Sequence, residues 1–314
     1  MTARALQSLL TGLIDYAGLF PPAGLGMDAA VRNYGSYADS EDAWMLGRFI
    51  VPAGRLEEYA EAVRNAGVDA SRWSLSVLAV AADADVVTRF NTGARFNTGA
   101  RFHTGADESG AGGYGSGGYG GIDAIEIKAS SAREIQDAAQ AFGGNYQIYF
   151  ETPPEKWHSL LQATAVAKAR AKIRTGGEVP GAIPEESRVL EFLRIASERR
   201  LAFKATAGLH HPLRAMQRLT YKPDSPQAVM HGFLNVFCAA ALLWHEPGQR
   251  QEASWMLSER DADAITMDEA MTWHNSGVML TAEQIREARE QFCIGFGSCS
   301  FTEPIDDLRK PGWL

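Results

Sequence analysis

Cysteine is scarce in this chain of 314 residues: Cys238, Cys293 and Cys299 form an odd count at no repeated spacing. That excludes a disulfide framework and a CxxC metal site, and it fits a reducing compartment. Positive charge is not in excess either, since 30 Lys and Arg stand against 38 Asp and Glu, for a net charge of −8. Without a basic block the chain has no electrostatic footprint for nucleic acid or an anionic membrane, and neither is expected as a partner. A long hydrophobic run is also missing. The most apolar stretch, Gly232 to Trp244, falls short of the roughly 20 residues that span a bilayer and reads as a buried helix. The opening segment MTARALQSLLTGLIDYAG has no sustained apolar core and carries Asp15, so no signal peptide is expected and the cytoplasm is the expected compartment. The first strand-to-helix turn lacks GxGxxG, which ranks a doubly wound open sheet second among the architectures considered, and no cofactor is called for.

The composition, 46% hydrophobic and 22% charged, is that of an ordinary globular protein. Short apolar segments alternate with helical ones, the pattern of a parallel sheet. Strands are expected near 12–19, 47–51, 74–80, 124–128, 147–151, 171–175, 202–206 and 292–296. Helices are expected over 54–66, 131–142, 154–169 and 185–199. Eight strands with intervening helices in this length predict a single α/β domain over 1–314, a (β/α)8 barrel. Two stretches break the rhythm. Residues 89–106 repeat RFNTGA, RFNTGA, RFHTGA and run into a glycine-rich segment, so 89–120 reads as a flexible low-complexity insertion before the fourth strand. Residues 212–291 are far longer than one strand-to-helix connection needs, and a helical cap beside the barrel mouth would account for them.

Alternate residues of a strand face opposite sides. In AIEIKA, Ile125 and Ile127 oppose Glu126 and Lys128; in QIYFE, Ile148 and Phe150 oppose Gln147, Tyr149 and Glu151. AKIRT sets Ile173 against Lys172 and Arg174, and AFKAT sets Phe203 and Ala205 against Lys204 and Thr206. If the apolar set faces the helices, Glu126, Lys128, Glu151, Lys172, Arg174 and Lys204 point toward the barrel axis. Barrel axes are usually filled by branched aliphatic side chains. Buried charges must pair, reach water or bind a charged ligand, and four cations against two carboxylates leave room for a small anionic molecule. The alternative is a salt-bridged plug with no ligand.

Two lysines on neighbouring strands disfavour each other's charge, and burial lowers both pKa values further. A neutral lysine amine attacks a carbonyl to form a Schiff base, and a nearby carboxylate moves the protons. Lys172 and Lys204 are the candidate amines, with Glu126 as the proton carrier and Glu151 second.

The same segments resemble, in order, those of the deoxyribose-phosphate aldolases, Schiff-base aldolases built on a (β/α)8 barrel. LIDYAGL, with Leu13, Ile14, Asp15 and Leu19, is similar to that family's opening L-I-D-H-T-L-L, and FIVPAGRLEEYAEA to its second strand and helix. GIDAIEI stands where the family has G-A-D-E-I-D-M, and IYFET where its fifth strand ends in E-T. AKIRTGG carries K-x-x-T-G through Lys172, Thr175 and Gly176. FKATAGL carries K-A-x-[AG]-G-[IL] through Lys204, Ala205, Ala207, Gly208 and Leu209. IGFGSCS, with Gly297 and Ser298, is similar to the phosphate-binding strand end G-T-S-S. The resemblance implies a lyase that makes or breaks a carbon–carbon bond in a small phosphorylated or carboxylated carbonyl compound. It makes Lys172 the iminium-forming residue, gives Lys204 the role of lowering its pKa, and places Glu126 where the family has its catalytic aspartate. Arg174, His210 and the glycine-containing ends at Gly176, Gly177, Gly208 and Gly297 would hold the anionic group, with Asp15, Lys128, Glu151, Thr175, Thr206, His211 and Ser298 beside them. The sequence departs from the family in the longer Glu126, in Arg174 where a small hydroxyl residue is usual, and in His210-His211-Pro212 after the seventh strand.

Other readings compete. Glu126 and Glu151 with His210 or His211 would suit a divalent cation in a metal-dependent lyase or isomerase, although adjacent histidines point apart. A barrel that only binds a ligand is a further alternative. Cys299 has no base tied to it by local spacing and reads as a small residue packed at a strand end. His231 and Asn235, one helical turn apart, read as a hydrogen-bonded core pair, and Trp255, Trp273 and Trp313 as packing or interface residues. A homo-oligomer is compatible with all of these.

Overall fold

The computed structural model describes residues 3–93 and 118–314, so most of the tandem hexamer and the glycine-rich run lie outside the described residues. In chain order, α1 (Arg4–Leu10) precedes β1 (Ile14–Tyr16), followed by α2 (Met27–Ala38), β2 (Leu46–Pro52), α3 (Leu56–Ala66), β3 (Ser74–Leu78) and α4 (Ala84–Asn91). Next come β4 (Gly121–Lys128), α5 (Ala132–Phe142), β5 (Gln147–Glu151), α6 (Trp157–Val166), β6 (Arg170–Arg174), α7 (Glu186–Glu198) and β7 (Phe203–Thr206). A hairpin of β8 (Ala215–Arg218) and β9 (Gln227–Met230) leads to α8 (Phe233–His245) and α9 (Arg250–Ser258). A small antiparallel sheet, β10 (Ile265–Met267), β11 (Ala270–Trp273) and β12 (Val278–Thr281), precedes α10 (Ala282–Gln291), β13 (Cys293–Ser298) and α11 (Thr302–Arg309). Strands β1 to β7 and β13 run parallel and close in sequence order, with β13 between β7 and β1. This is the expected (β/α)8 barrel.

The closure follows from the alternation. Ile125, Ile127, Phe150, Ile173, Phe203 and Ala205 are all buried on the helix-facing side. Phe203 meets Phe192 of α7, Phe237 of α8 and Phe292 at ring-centroid distances of 5.1 to 6.3 Å. Removing such side chains from water, at about 25 cal/mol per Å² of apolar surface, drives the assembly. Local signals set the helix ends: Ser131 caps α5 by accepting the N–H of Glu134, and Gly67 takes the left-handed conformation that ends α3.

The stretch 212–291 is several things rather than one cap. The hairpin β8–β9 reaches the mouth, where Leu219 and Met230 line a cavity. Helix α8, apolar on every side, is buried from Phe233 to Trp244 and packs on α7, α9, α10 and β13, as a barrel helix does. The small sheet instead packs beside α1. His231 and Asn235 are buried but do not pair: His231 precedes the helix and bonds the Pro184 carbonyl, while Asn235 bridges the backbones of Arg214, Met256 and Glu259. Among the described residues no helix is long and apolar enough to cross a membrane.

At the mouth, the turns after β6 and β7 touch through glycine. A Cβ on Gly208 would lie 2.8 Å from the Cα of Gly176, and Gly208 has φ +81. The preceding Ala207 is also left-handed, at φ 59, and its carbonyl accepts a 2.5 Å hydrogen bond from the Thr175 hydroxyl. Replacing Gly208 by alanine is therefore expected to destabilise the protein by about 1–3 kcal/mol, whereas Gly54→Ala, where nothing lies within 4 Å, shifts stability by less than about 0.5 kcal/mol. Urea unfolding midpoints of the two variants would show the difference.

Candidate active site in the barrel axis

Side chains on the inward face of the strands form a polar column along the axis. At the N-terminal strand ends Arg48 makes a two-pronged pair with Asp123 at 2.7 and 3.0 Å, and Gln147 accepts from both Arg48 and Arg170. Above them Asp15 receives the backbone N–H of Arg48 at 2.6 Å and the Lys204 ammonium at 2.6 Å. A Cβ at Gly47 would stand 2.3 Å from the Asp15 carboxylate, so only glycine leaves room for it. Glu126 is the centre of the column. Its Oε1 accepts from Lys204 at 2.5 Å and from the Ser76 hydroxyl at 2.7 Å, while its Oε2 lies 2.8 Å from the Lys172 ammonium. Lys172 continues to Glu151 at 3.0 Å, and Glu151 to Arg174 at 3.3 Å. Acid and base alternate from Asp15 to Arg174.

The strand register explains the meeting. Lys172 and Lys204 are direct partners across β6 and β7, and Glu151 is the partner of Lys172 across β5 and β6. The two ammonium groups do not confront each other bare, because Glu126 gives one oxygen to each. This corrects, for Lys204, the expectation that mutual repulsion and burial lower both lysines. Burial does work to lower the Lys204 pKa, but Asp15 and Glu126 more than reverse it, and Lys204 is held above the ordinary lysine value. Burial likewise works to raise Glu126, yet Lys172 and Lys204 hold it well below the usual carboxylate range. Glu151 follows the same logic and is also lowered, with Lys172 first and Arg174 next among the cations that outweigh its burial.

The expected surplus of inward positive charge does not hold. Lys128 is exposed at the end of β4, and the Arg174 side chain is 46% exposed at the end of β6. Both have the right parity but are the last residues of their strands, at the rim where water reaches them. Asp15 supplies a third carboxylate, so the buried column is close to balanced. Ser76 also belongs to it; as a small hydroxyl on the inward face of SLSVL it carried a weak signal.

A cavity of about 260 Å³ opens at the C-terminal strand ends. Glu126 and Lys172 form its floor, Arg174, Gly177, Thr206, Gly208, His210 and Gly297 line it, and Lys204 lies sealed beneath. Lys128, with Glu151, belongs to a neighbouring cleft that meets this cavity at Lys172 and Arg174. Thr175, Gly176 and Ser298 do not line the cavity; Thr175 ties β6 to the turn after β7, and Ser298 accepts the N–H of Ser300. The two histidines both turn toward α11, His210 to Glu303 at 2.9 Å and His211 to Asp307 at 2.5 Å. The donors of a Glu126–Glu151–histidine metal site therefore do not converge, and among the described residues no group of three acidic, histidine or cysteine side chains is arranged for a metal.

Cys299 does have a base. Its sulfur lies 4.0 Å from Nε2 of His210 and 3.5 Å from the Tyr221 hydroxyl, and it faces the cavity. Sequence spacing gave no hint of this, because Cys299 and His210 meet only where β13 lies beside β7.

No family model matches the sequence, and no curated protein does. Among solved structures, a tetrameric deoxyribose phosphate aldolase from Aeropyrum pernix is similar at 12% identity over 67% of this chain and 86% of that one, with a TM-score of 0.40.

Replacing Glu126 by glutamine would leave two buried ammonium groups without their shared anion, and a loss of about 3–5 kcal/mol in unfolding free energy is expected. The pH dependence follows from the two shifts. The lowered Glu126 contributes stability above the ordinary carboxylate value of about 4.3 and loses it as pH falls. The raised Lys204 contributes below about 10.4 and loses its share only as pH rises through its higher folded value. Urea titrations of the wild type should thus weaken on the acid side, with a shallower acid slope in Glu126→Gln.

Proposed function

We propose that the protein is a lyase of the Schiff-base aldolase type, which makes or breaks a carbon–carbon bond in a small carbonyl compound carrying a phosphate or carboxylate. The observation that carries this reading is the position of Lys172. It is the last buried cation of the column, 6% exposed, with its amine between two carboxylates and its side chain in the cavity floor.

The column is built to hold a positive charge at the Lys172 nitrogen, and an iminium is a positive charge at that nitrogen. Glu126 and Glu151 thus stabilise the iminium as they stabilise the ammonium, without reorganising. Between the two states the amine must release a proton, add to the carbonyl carbon, and lose the former carbonyl oxygen as water. Glu126 and Glu151 are both within reach of that proton. Lys204 and Ser76 hold Glu126 as a carboxylate, so Glu151, nearer the mouth, is the better exchanger of protons with substrate and solvent. Once formed, the iminium accepts the electron pair of the breaking carbon–carbon bond, and a carboxylate takes the hydroxyl proton of the departing aldehyde.

In this reading Lys204 is not a second nucleophile. It is a fixed cation that keeps Glu126 ionised and in place. Arg174 and His210, on two sides of the cavity, are the cations that would meet the substrate's anionic group. The volume of about 260 Å³ lies at the small end for ligand sites and suits a molecule of a few carbons, such as a carbohydrate-derived aldehyde or keto acid.

Incubation with small aldehydes and keto acids followed by borohydride should add the reduced substrate's mass to the peptide holding Lys172, and to no peptide in Lys172→Arg. Labelling confined to other lysines, or none with any carbonyl compound that binds, would remove the Schiff-base mechanism.

A further inference from the structure

A second reactive group faces the same cavity. Cys299 lies where the chain leaves β13 for α11, His210 follows β7, and Glu303 is in the first turn of α11. His210 places Nε2 at 4.0 Å from the sulfur and Nδ1 at 2.9 Å from the Glu303 carboxylate. The Tyr221 hydroxyl stands 3.5 Å from the sulfur and donates to Glu303 at 3.1 Å. Nucleophile, base and orienting carboxylate are in sequence.

The electrostatics agree with the geometry. Burial works to raise the Cys299 thiol, but His210 and Tyr221 outweigh it and bring it below the ordinary value. Burial works to lower His210, and Cys299 with Glu303 raises it to about 9. The remaining cysteines are a built-in contrast. Cys238 and Cys293 are wholly buried, and burial pushes both thiols up, Cys293 to about 12.

We propose that Cys299 is a nucleophile that adds reversibly to the carbonyl carbon of a small aldehyde in the mouth cavity, with His210 as its proton acceptor and Glu303 orienting the imidazole. With the thiol proton already held on Nε2 of His210, an electron pair of the sulfur forms the carbon–sulfur bond as the carbonyl π pair moves onto oxygen. That oxygen then takes the proton back from His210, leaving a hemithioacetal. Nothing is oxidised or reduced, and the reverse sequence releases the aldehyde. Lys172 takes no part, so this second anchoring point stands apart from the iminium chemistry.

Iodoacetamide labelling read by peptide mass, between about pH 6 and 8.5, tests the site. Cys299 should be alkylated while Cys238 and Cys293 are not, with a rate that changes far less than tenfold per pH unit. His210→Gln should slow alkylation near pH 7 by about tenfold and restore the ordinary pH dependence of a thiol. Glycolaldehyde should protect Cys299 in the wild type and equally in Lys172→Arg, which keeps the cation but has no amine to form an iminium; ethylene glycol, lacking a carbonyl, should not protect. The proposal is overturned if the wild-type rate follows pH like a free thiol, if ethylene glycol protects as well as glycolaldehyde, or if protection disappears in Lys172→Arg. Protection that persists where borohydride labels no lysine would sink the lyase reading and leave this one standing.

Discussion

Glu126 holds the interior of this barrel together by serving two lysines at once, one oxygen to each. A carboxylate and two ammonium groups away from water are each costly alone, and the barrel tolerates them because every charge along the axis has an opposite neighbour. That requirement reaches outward. Asp15 must sit beneath Lys204, Gly47 must lack a side chain so that Asp15 fits, and Ser76 must complete the hydrogen bonding of Glu126. A barrel filled with aliphatic layers carries no such chain of dependence.

The column also divides labour by depth. Lys204 is sealed between Asp15 and Glu126, over the face of Tyr149 at 5.6 Å, and works as a structural cation. Lys172, one strand away, is the point where the charged interior meets the cavity. Its neighbours toward the mouth, Glu151 and Arg174, are progressively more solvated. Chemistry that needs a proton exchanged with solvent belongs at that end of the column. Across the cavity, the turns after β7 and β13 bring His210 and Cys299 together, so a lysine amine and a cysteine thiol face one small space.

Much of the fold was legible because period-two alternation is a local property. Ile125 against Glu126, Ile173 against Lys172 and Phe203 against Lys204 each announce which face meets the helices, and the order of eight such segments gives the barrel. The inward pairing of Lys172 and Lys204 could be read in the same way. Parity, however, says nothing about height. Lys128 and Arg174 share the parity of Glu126 and Lys172, yet are the exposed last residues of their strands. Nor could sequence supply the partners: Arg48 finds Asp123 across 75 residues, Glu126 finds Ser76 across 50, and His210 finds Cys299 across 89. These meetings depend on which strands become neighbours on closure and on how the following turns fold over the mouth. The make-up of 212–291 was hidden for a similar reason, since α8 and α10 pack as barrel helices, with the β8–β9 hairpin before α8 and with α9 and the small sheet between the two.

The charge state of the two lysines is the most direct test of this account. Nitrogen-15 NMR of lysine-labelled protein, assigned with Lys204→Arg and Lys172→Arg, would follow each side chain through an alkaline titration. The account predicts that Lys204 keeps its proton well past the ordinary value of about 10.4, until the fold itself gives way. A Lys204 signal that titrates at or below that value would contradict it, because the Asp15–Lys204–Glu126 linkage on which the interior rests would then not exist.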